Sequence, residues 1–408
     1  MITKERVPME IRNPSEEEFR AAMRVTESAF GEEQKDEDFE RHRKMLPRDR
    51  FFAAYDGERP VGTAASFPFR LAVPGGELGA GGVTWVGVLP SHRRRGILRQ
   101  LMRSQLDDLR ERGEPLAILW ASEAAIYGRF GYGIAAPSME MNADPSRFAF
   151  REDPGPVGTV RIVDHDEAKQ LLPRVYDKVW RGIPGFVERS TDWWEQYRLA
   201  DPEHWRRGAG PKFCALLEID DEPVAYAIYR IKLGWEDGYS QSQVRLLETL
   251  AATPAAAREL WRFVFGIDLI VQIRGKYDPA SPLFLLMTDP RSLQLRVSEG
   301  LWLRFVDIDA ALAGRTYHGD DSVVIEVRDS FCPWNEGRWR VGQEVVGRTD
   351  DTAELELDSA DLASAYLGAF DFHRLAEAER VRELEPGALE RATILFRTPR
   401  PPFCPEDF

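Results

Sequence analysis

A basic turn between a predicted buried strand and a predicted amphipathic helix could bind an anion. The apolar segment Gly82–Leu89 ends at Pro90, which cannot donate to a sheet ladder, and Arg93-Arg94-Arg95-Gly96 then leads into the helix. Backbone N–H groups at a helix start have no intrahelical partners, and the helix dipole adds positive potential there. Together with arginine side chains, such a turn favours a pyrophosphate group, and Gly96 would let the backbone approach it closely.

The first part of the chain is predicted to be a mixed α/β domain that positions these residues. The turn Pro74-Gly75-Gly76 indicates a loop or hairpin, and the segment EDPGPVG at 152–158 reads as a linker. Apolar periodicity predicts helices over Glu16–Phe30 and Gly96–Arg112, and strands over Arg50–Tyr55, Pro60–Phe69, Gly82–Leu89 and Pro115–Ala121.

The second part repeats this order of elements. The segment VTWVGVLPSHRRRGILRQLM has a counterpart with a similar apolar rhythm in VRLLETLAATPAAARELWRFV, where Thr253-Pro254-Ala255-Ala256 replaces the arginine turn. A duplicated domain whose anion-binding turn has decayed explains this pattern. Chance similarity of two α/β units is the alternative.

The third part, from about Leu301, is predicted to be a sheet with packed helices and carries no chemical motif of its own. Ser322–Val327 alternates like a strand, and Ser359–Tyr366 is predicted to be a helix with a serine cap. The predicted fold class is therefore α+β, with domains over residues 1–153, 154–299 and 300–408.

Composition narrows the possible functions. Apolar residues make up 43% and charged residues 30% of 408 residues, which is typical of a globular protein. The net charge of −14 argues against nucleic-acid binding and is compatible with cationic substrates. No apolar run is long enough for a membrane span. The three cysteines are far apart and none of the six histidines has the spacing of a metal-binding pair, so the sequence predicts neither disulfides nor a metal site. We expect a cytoplasmic protein without a membrane or nucleic-acid partner.

The segment V-x-V-x-P-x-x-R-R-x-G-x-L resembles the acetyl-CoA loop of the GNAT superfamily of N-acetyltransferases. The superfamily's Q/R-x-x-G-x-G/A core fits Arg93–Leu98, except that Leu98 takes the last position. With Ala121-Ser122-Glu123 and IYGRFGYG at 126–133, this departure is similar to the enhanced intracellular survival (Eis) family. The similarity covers the whole chain: two GNAT-like domains and a sterol-carrier-like domain containing Tyr366-Leu367-Gly368-Ala369, with a final phenylalanine.

The resemblance implies roles for the matching positions. Tyr127 would be the general acid that protonates the departing CoA thiolate, because a phenol with a pKa near ~10 can donate to a thiolate of similar basicity. The terminal carboxylate of Phe408 would be the base, although a carboxylate with a pKa of about 3.5 needs burial or a water relay to take a proton from an ammonium group. Without the resemblance, Tyr127 would be a core or turn aromatic and Phe408 a frayed terminus. The donor would be acetyl-CoA, and the residues holding it would be Val86, Gly87 and Val88 along the pantetheine arm, Arg94, Arg95, Gly96, Ile97, Leu98 and Arg99 around the pyrophosphate, and Ser122 and Glu123 beside the cofactor.

Substrate-pocket candidates are Trp85, as an aromatic wall, and the carboxylates of Glu32 and Asp407. Trp85 could instead be a core residue, and both carboxylates could be solvated charges. The expected reaction is acetylation of primary amines on polycationic small molecules such as aminoglycosides, at several positions on one molecule. Lysine acetylation of peptides, or non-catalytic binding of CoA or a lipid, are the alternatives. The family also implies a homo-oligomer, a hexamer built from trimers.

Overall fold

The computed structural model describes residues 9–31 and 33–408, which form two compact units. Unit 1 contains the described residues up to Ala135 together with Leu301–Thr398 and Glu406–Phe408, and unit 2 contains Ala136–Gly300 and Pro399–Pro405. Segments from the predicted first and third domains therefore share unit 1. The domain boundaries at residues 153 and 299 remain predictions.

The regular elements are numbered here in chain order. The strands are β1 (Glu10–Arg12), β2 (Phe51–Asp56), β3 (Arg59–Val73), β4 (Gly76–Val88), β5 (Leu116–Trp120), β6 (Gly133–Ala143), β7 (Thr159–Val163), β8 (Phe213–Ile219), β9 (Glu222–Lys232), β10 (Trp235–Glu236), β11 (Tyr239–Ser240), β12 (Ser242–Ala251), β13 (Ile270–Lys276), β14 (Arg296–Phe305), β15 (Ser322–Arg328), β16 (Gly337–Gly342), β17 (Val346–Arg348), β18 (Leu355–Asp358) and β19 (Val381–Glu383). The α-helices are α1 (Glu16–Met23), α2 (Val25–Phe30), α3 (Asp36–Met45), α4 (Ile97–Glu111), α5 (Ala124–Tyr127), α6 (His165–Asp177), α7 (Thr191–Trp193), α8 (Pro254–Phe265), α9 (Leu283–Leu286), α10 (Ile308–Ala313), α11 (Ser359–Tyr366), α12 (Phe372–Glu377) and α13 (Ala388–Phe396).

In unit 1, strands β1 to β4 pair antiparallel in chain order, and β5 then pairs parallel to β4. The Leu301–Phe305 part of β14 lies antiparallel on the other side of β5. Helix α4, which crosses from β4 to β5, buries Ile97, Leu101 and Leu106 against the sheet. A methyl group at Gly62 would lie 2.9 Å from the Ile97 side chain, so this glycine permits the close packing of helix on strand. The predicted helix Gly96–Arg112 is confirmed as α4.

The prediction of one helix over Glu16–Phe30 is wrong in one respect. The segment forms two helices, α1 and α2, which are separated at Arg24. The Thr26 hydroxyl donates to the Met23 carbonyl at 2.8 Å, and such local side-chain bonds compete with the helical ladder. The predicted loop around Pro74 is a tight hairpin turn, with Gly75 at φ +81° between the long strands β3 and β4.

Unit 2 repeats the order of elements found in unit 1. Strands β7, β8, β9 and β12 pair antiparallel, and β13 then pairs parallel to β12 after the connecting helix α8. At the start of α8, the Thr253 hydroxyl accepts from the Ala256 N–H at 3.2 Å. A protein side chain therefore takes the place at which an anion would bind a helix N-terminus.

The last part of unit 1 is a five-stranded sheet in the order β17-β16-β15-β18-β19, with α11 and α13 packed nearby. The predicted serine cap is wrong: Asp358 precedes the first turn of α11, and Ser359 is its first helical residue. The Ser359 hydroxyl instead accepts from the Arg304 guanidinium at 2.6 Å. Within residues 9–31 and 33–408, no helix has both the length and the apolar composition needed to cross a membrane.

Candidate active site

The parallel strands β4 and β5 diverge at the centre of unit 1. Their paired residues run from Ala80 and Leu116 to Gly82 and Ile118, and β4 then continues to Val88. Ligands bind in α/β sheets where neighbouring strands separate at their carboxyl ends. Val86 and Val88 lie on the part of β4 that continues beyond its pairing with β5.

A β-bulge changes the direction of the β4 side chains next to the opening between β4 and β5. The register with β3 shifts between Thr63 and Ala65, opposite Trp85, whose φ of +49° is left-handed. The Thr63 hydroxyl donates to the Trp85 carbonyl at 2.8 Å and fixes this bend. The Trp85 indole packs edge-on against His42, with ring centroids 4.5 Å apart, and against Phe67. Burial lowers the pKa of His42 to about 4, so its imidazole is neutral at physiological pH.

The arginine turn follows β4 after a 3-10 helical turn at Pro90–His92, and it leads into α4. Arg94 has φ +61° and Gly96 has φ +82°, and α4 begins at Ile97. A methyl group at Gly96 would meet nothing nearer than 3.9 Å, so there is space for a side chain. Glycine is favoured here because the backbone is left-handed. The side chains of Arg94, Arg95 and Arg99 are exposed. This arrangement of free helix N–H groups and guanidinium groups fits a pyrophosphate.

Neutralising the turn should weaken cofactor binding. In the double variant R94Q/R95Q, we expect the KM for acetyl-CoA to rise at least about 10-fold, because each charge-assisted hydrogen bond to an anion contributes roughly 1.5–3 kcal/mol. The control R59Q removes an exposed charge from β3 and should leave KM unchanged. Steady-state kinetics over a range of acetyl-CoA concentrations measure both values, and an unchanged KM in the double variant would contradict the pyrophosphate role.

Tyr127 ends the short helix α5 that follows β5, and its side chain is 5% exposed. Burial raises the pKa of the Tyr127 phenol to about 12, and a hydrogen bond with Ser122 opposes this rise. The phenol therefore keeps its proton at neutral pH and can donate it. The Tyr127 ring packs edge-on against Tyr132, with centroids 5.9 Å apart.

The last residue of the chain lies in the same cleft as Tyr127. The Phe408 ring packs edge-on against Phe69, with centroids 5.1 Å apart, and a methyl group at Gly82 would lie 3.4 Å from it. The cleft has a volume of about 290 Å³ and is lined by Thr26, Phe30, Gln34, Val83, Thr84, Trp85, Val86, Trp120, Ser122, Tyr127 and Phe408.

The cleft thus brings together several of the residues singled out from the sequence, namely Trp85, Val86, Ser122, Tyr127 and Phe408. Glu123 and Asp407 are exposed, and Glu32 lies outside the described residues. Sequence reasoning did not assign the other lining residues to the site, namely Thr26, Phe30, Gln34, Val83, Thr84 and Trp120. The signal for Thr26 was a polar residue on the apolar face of the predicted first helix, where a buried hydroxyl needs a reason.

Comparison with known proteins is consistent with this arrangement. Acetyltransferase (GNAT) domain models match residues 10–135 and 185–305, and a sterol carrier protein domain model matches residues 308–405. These matches confirm the predicted fold class and the duplication of the GNAT domain.

Relatives match over most of their length. An uncharacterized N-acetyltransferase of Streptomyces avermitilis is 43% identical over 88% of this chain and 90% of its own. The N-acetyltransferase Eis of Mycobacterium bovis is 34% identical over 88% and 89%. The crystal structure of Eis1 from Mycobacterium abscessus superposes with a TM-score of 0.85 at 33% identity, covering 98% of this chain and all of the other. A GCN5-related N-acetyltransferase of Anabaena variabilis shares the fold, with a TM-score of 0.84 at 20% identity, over 98% of this chain and 100% of its own. The chain belongs to the Eis family of GNAT N-acetyltransferases.

Proposed function

We propose that the enzyme transfers an acetyl group from acetyl-CoA to primary amines of a polycationic small molecule, such as an aminoglycoside. The observation that carries the proposal is that Tyr127 and Phe408, 281 positions apart in sequence, line one cleft where β4 and β5 diverge. Tyr127 would supply a phenol, and Phe408 would supply a terminal carboxylate. Acetyl transfer to an amine needs both a proton donor and a proton acceptor.

Groups suited to the cofactor lie on β4 and on the turn that leads into α4. The backbone of Val86, Gly87 and Val88 would pair with the pantetheine arm as an added strand. Ser122 and Glu123 would lie along its other side, after β5. The pyrophosphate would sit on the arginine turn, which comprises Arg94, Arg95, Gly96, Ile97, Leu98 and Arg99. When bound, acetyl-CoA would supply the electrophilic thioester.

Tyr127 and Phe408 would then divide the proton transfers between them. Tyr127 would donate its phenolic proton to the departing thiolate, whose basicity rises in the same low-dielectric cleft that raises the pKa of the phenol. The carboxylate of Phe408 would pair with the substrate ammonium and receive its proton through water as the amine attacks. Such a relay is needed because an ordinary terminal carboxylate, with a pKa of about 3.5, is a weak base.

The acceptor class is supported by charge and shape. The proposed terminal carboxylate of Phe408 would be the anion of the cleft, and the exposed Asp407 adjoins Phe408 in the sequence. The chain carries a net charge of −14, which raises the local concentration of cations. Trp85 would form an apolar wall beside the acceptor ring. A molecule with several amines can present each in turn to one carboxylate, which would permit acetylation at several positions.

A panel of amines tests this acceptor class. We expect kcat/KM for kanamycin-like aminoglycosides to exceed that for a lysine peptide by at least about 10-fold, because a second charge-assisted contact contributes roughly 1.5–3 kcal/mol. Release of the CoA thiol measures the rate for each amine at equal concentration, with a monoamine as the control. A higher kcat/KM for the lysine peptide would replace the aminoglycoside assignment with peptide acetylation.

The family also supports a homo-oligomer, and we propose a hexamer. Unit 2 exposes large apolar side chains that an interface between subunits would cover, including Leu233, Trp235, Tyr239 and Leu269.

A cytoplasmic location fits the three cysteines, which are buried thiols.

A further inference from the structure

A buried ion pair, between Arg304 and Asp329, lies next to the turn that follows Tyr127. Arg304, on β14, is fully buried, and its Nη2 lies 2.7 and 2.6 Å from the two carboxylate oxygens of Asp329. Its Nη1 donates to the Ser359 hydroxyl at 2.6 Å. The Asp329 carboxylate also accepts from the Cys332 N–H at 2.9 Å. Asp329 and Ser359 lie within the sterol-carrier-like segment, so this part of the chain fixes the guanidinium plane.

The turn after Tyr127 rests directly on that guanidinium. Gly131 ends the turn with φ +83°, and a methyl group there would lie 2.7 Å from Arg304 Cζ and would collide with Nη1. The turn returns on itself, because the Tyr132 N–H donates to the Tyr127 carbonyl at 3.4 Å. The Tyr132 ring then packs edge-on against the Tyr127 ring. Gly131 contacts Arg304, and Tyr132 follows Gly131 in the chain. Tyr132 therefore holds both the backbone and the ring of Tyr127 from a position set by Arg304.

We propose that Arg304 is a positioning residue for the catalytic phenol, and that the sterol-carrier-like domain acts on catalysis through Asp329 and Ser359. The inference rests on the proposed role of Tyr127. A planar guanidinium can bond two acceptors while presenting a flat surface to Gly131. A lysine ammonium keeps the charge but offers no such surface. Loss of the surface would let the turn shift, and displacements near 1 Å at a reacting group can cost about 100-fold in rate.

A purely structural ion pair would predict a different result. Such a pair would lower the stability of the fold when altered, and any loss of activity would be independent of the phenol. A positioning residue acts only through the phenol it positions. Its substitution should therefore have no effect once the phenolic hydroxyl has been removed, which a double-mutant cycle measures directly.

The test combines Arg304→Lys with Tyr127→Phe. Alone, Arg304→Lys should lower kcat about 10-fold with the KM for acetyl-CoA unchanged, and it should cause no further loss in the Tyr127→Phe background. The control Arg50→Lys alters another buried ion pair of unit 1, between Arg50 and Glu114, and should leave kcat unchanged. Circular dichroism confirms that each variant is folded at the assay temperature.

If Arg304→Lys does not fold, Ser359→Ala carries the test, because it removes one acceptor of the guanidinium and should lower kcat about 3-fold only when Tyr127 is present. Equal losses in both backgrounds, or no loss in either, would overturn the positioning role and leave the proposed function intact. Full activity of Tyr127→Phe alone would overturn both the positioning role of Arg304 and the proposed role of Tyr127 as the acid. The residual rate of Tyr127→Phe is measured with high enzyme concentration and long incubation.

Discussion

Replacing Tyr127 with phenylalanine is expected to lower kcat about 100-fold or more, the usual contribution of a positioned general acid. The substitution keeps the ring that packs against Tyr132 and removes only the hydroxyl. The KM for acetyl-CoA should change little, because the arginine turn and the β4 backbone are untouched. The matched control is Tyr277→Phe, which removes a buried phenol of unit 2 that donates to the Ser281 carbonyl at 3.3 Å, and it should retain full kcat.

The pH dependence of kcat gives an independent reading of the same group. Burial raises the pKa of Tyr127 to about 12, so the protonated form that acts as the acid persists well above neutral pH. Activity should rise with pH as the substrate amine loses its proton, with no descending limb from Tyr127 below about pH 10. Full kcat in Tyr127→Phe, or a descending limb below that pH that vanishes in the variant, would contradict the assignment.

Moving the terminal carboxylate is expected to have an effect of similar size. Extending the chain by one alanine keeps the Phe408 ring but converts its carboxylate into an amide, and deleting Phe408 transfers the terminal charge to Asp407. Both changes should lower kcat about 100-fold, because each removes the proton acceptor from the cleft.

Phe408→Leu separates the carboxylate from the ring. It retains the charge and loses the edge-on contact with Phe69, so we expect a loss of less than about 10-fold in kcat, within the range for one buried aromatic contact. Steady-state rates for the three variants at saturating acetyl-CoA show whether activity depends on the carboxylate or on the ring. An alanine-extended enzyme with full activity would show that the carboxylate is not the base.

Much of the fold around the cofactor site follows from local sequence patterns. An apolar strand, a terminating proline, a basic turn and an amphipathic helix are all short-range signals, and α4 lies within one residue of its predicted bounds. The duplication was likewise predictable from the repeated rhythm of two strand–turn–helix segments. In the second copy, the Thr253 hydroxyl accepts from the Ala256 N–H at the helix N-terminus, where the first copy has the arginine turn.

The composition of the cleft was less predictable, because tertiary packing decides it. Thr26 lies on α2, Gln34 in the connection between α2 and α3, and Trp120 on β5, so no local pattern relates them to Tyr127. Phe408 was a candidate only through the family resemblance, since nothing near a chain terminus indicates where it will pack. The supposed cap at Ser359 failed for a similar reason: its hydroxyl is taken by Arg304, which is 55 positions away.

Acetyl transfer itself is the most direct test of the central claim. Purified enzyme is incubated with acetyl-CoA and a kanamycin-like aminoglycoside, while thiol release and the mass of the aminoglycoside are followed together. We expect one CoA thiol to be released for each acetyl group gained, with both signals falling together in Tyr127→Phe and in the alanine-extended enzyme. Binding of acetyl-CoA in calorimetry, with thiol release no faster than in the absence of enzyme for every amine tested, would contradict the proposed acetyl transfer.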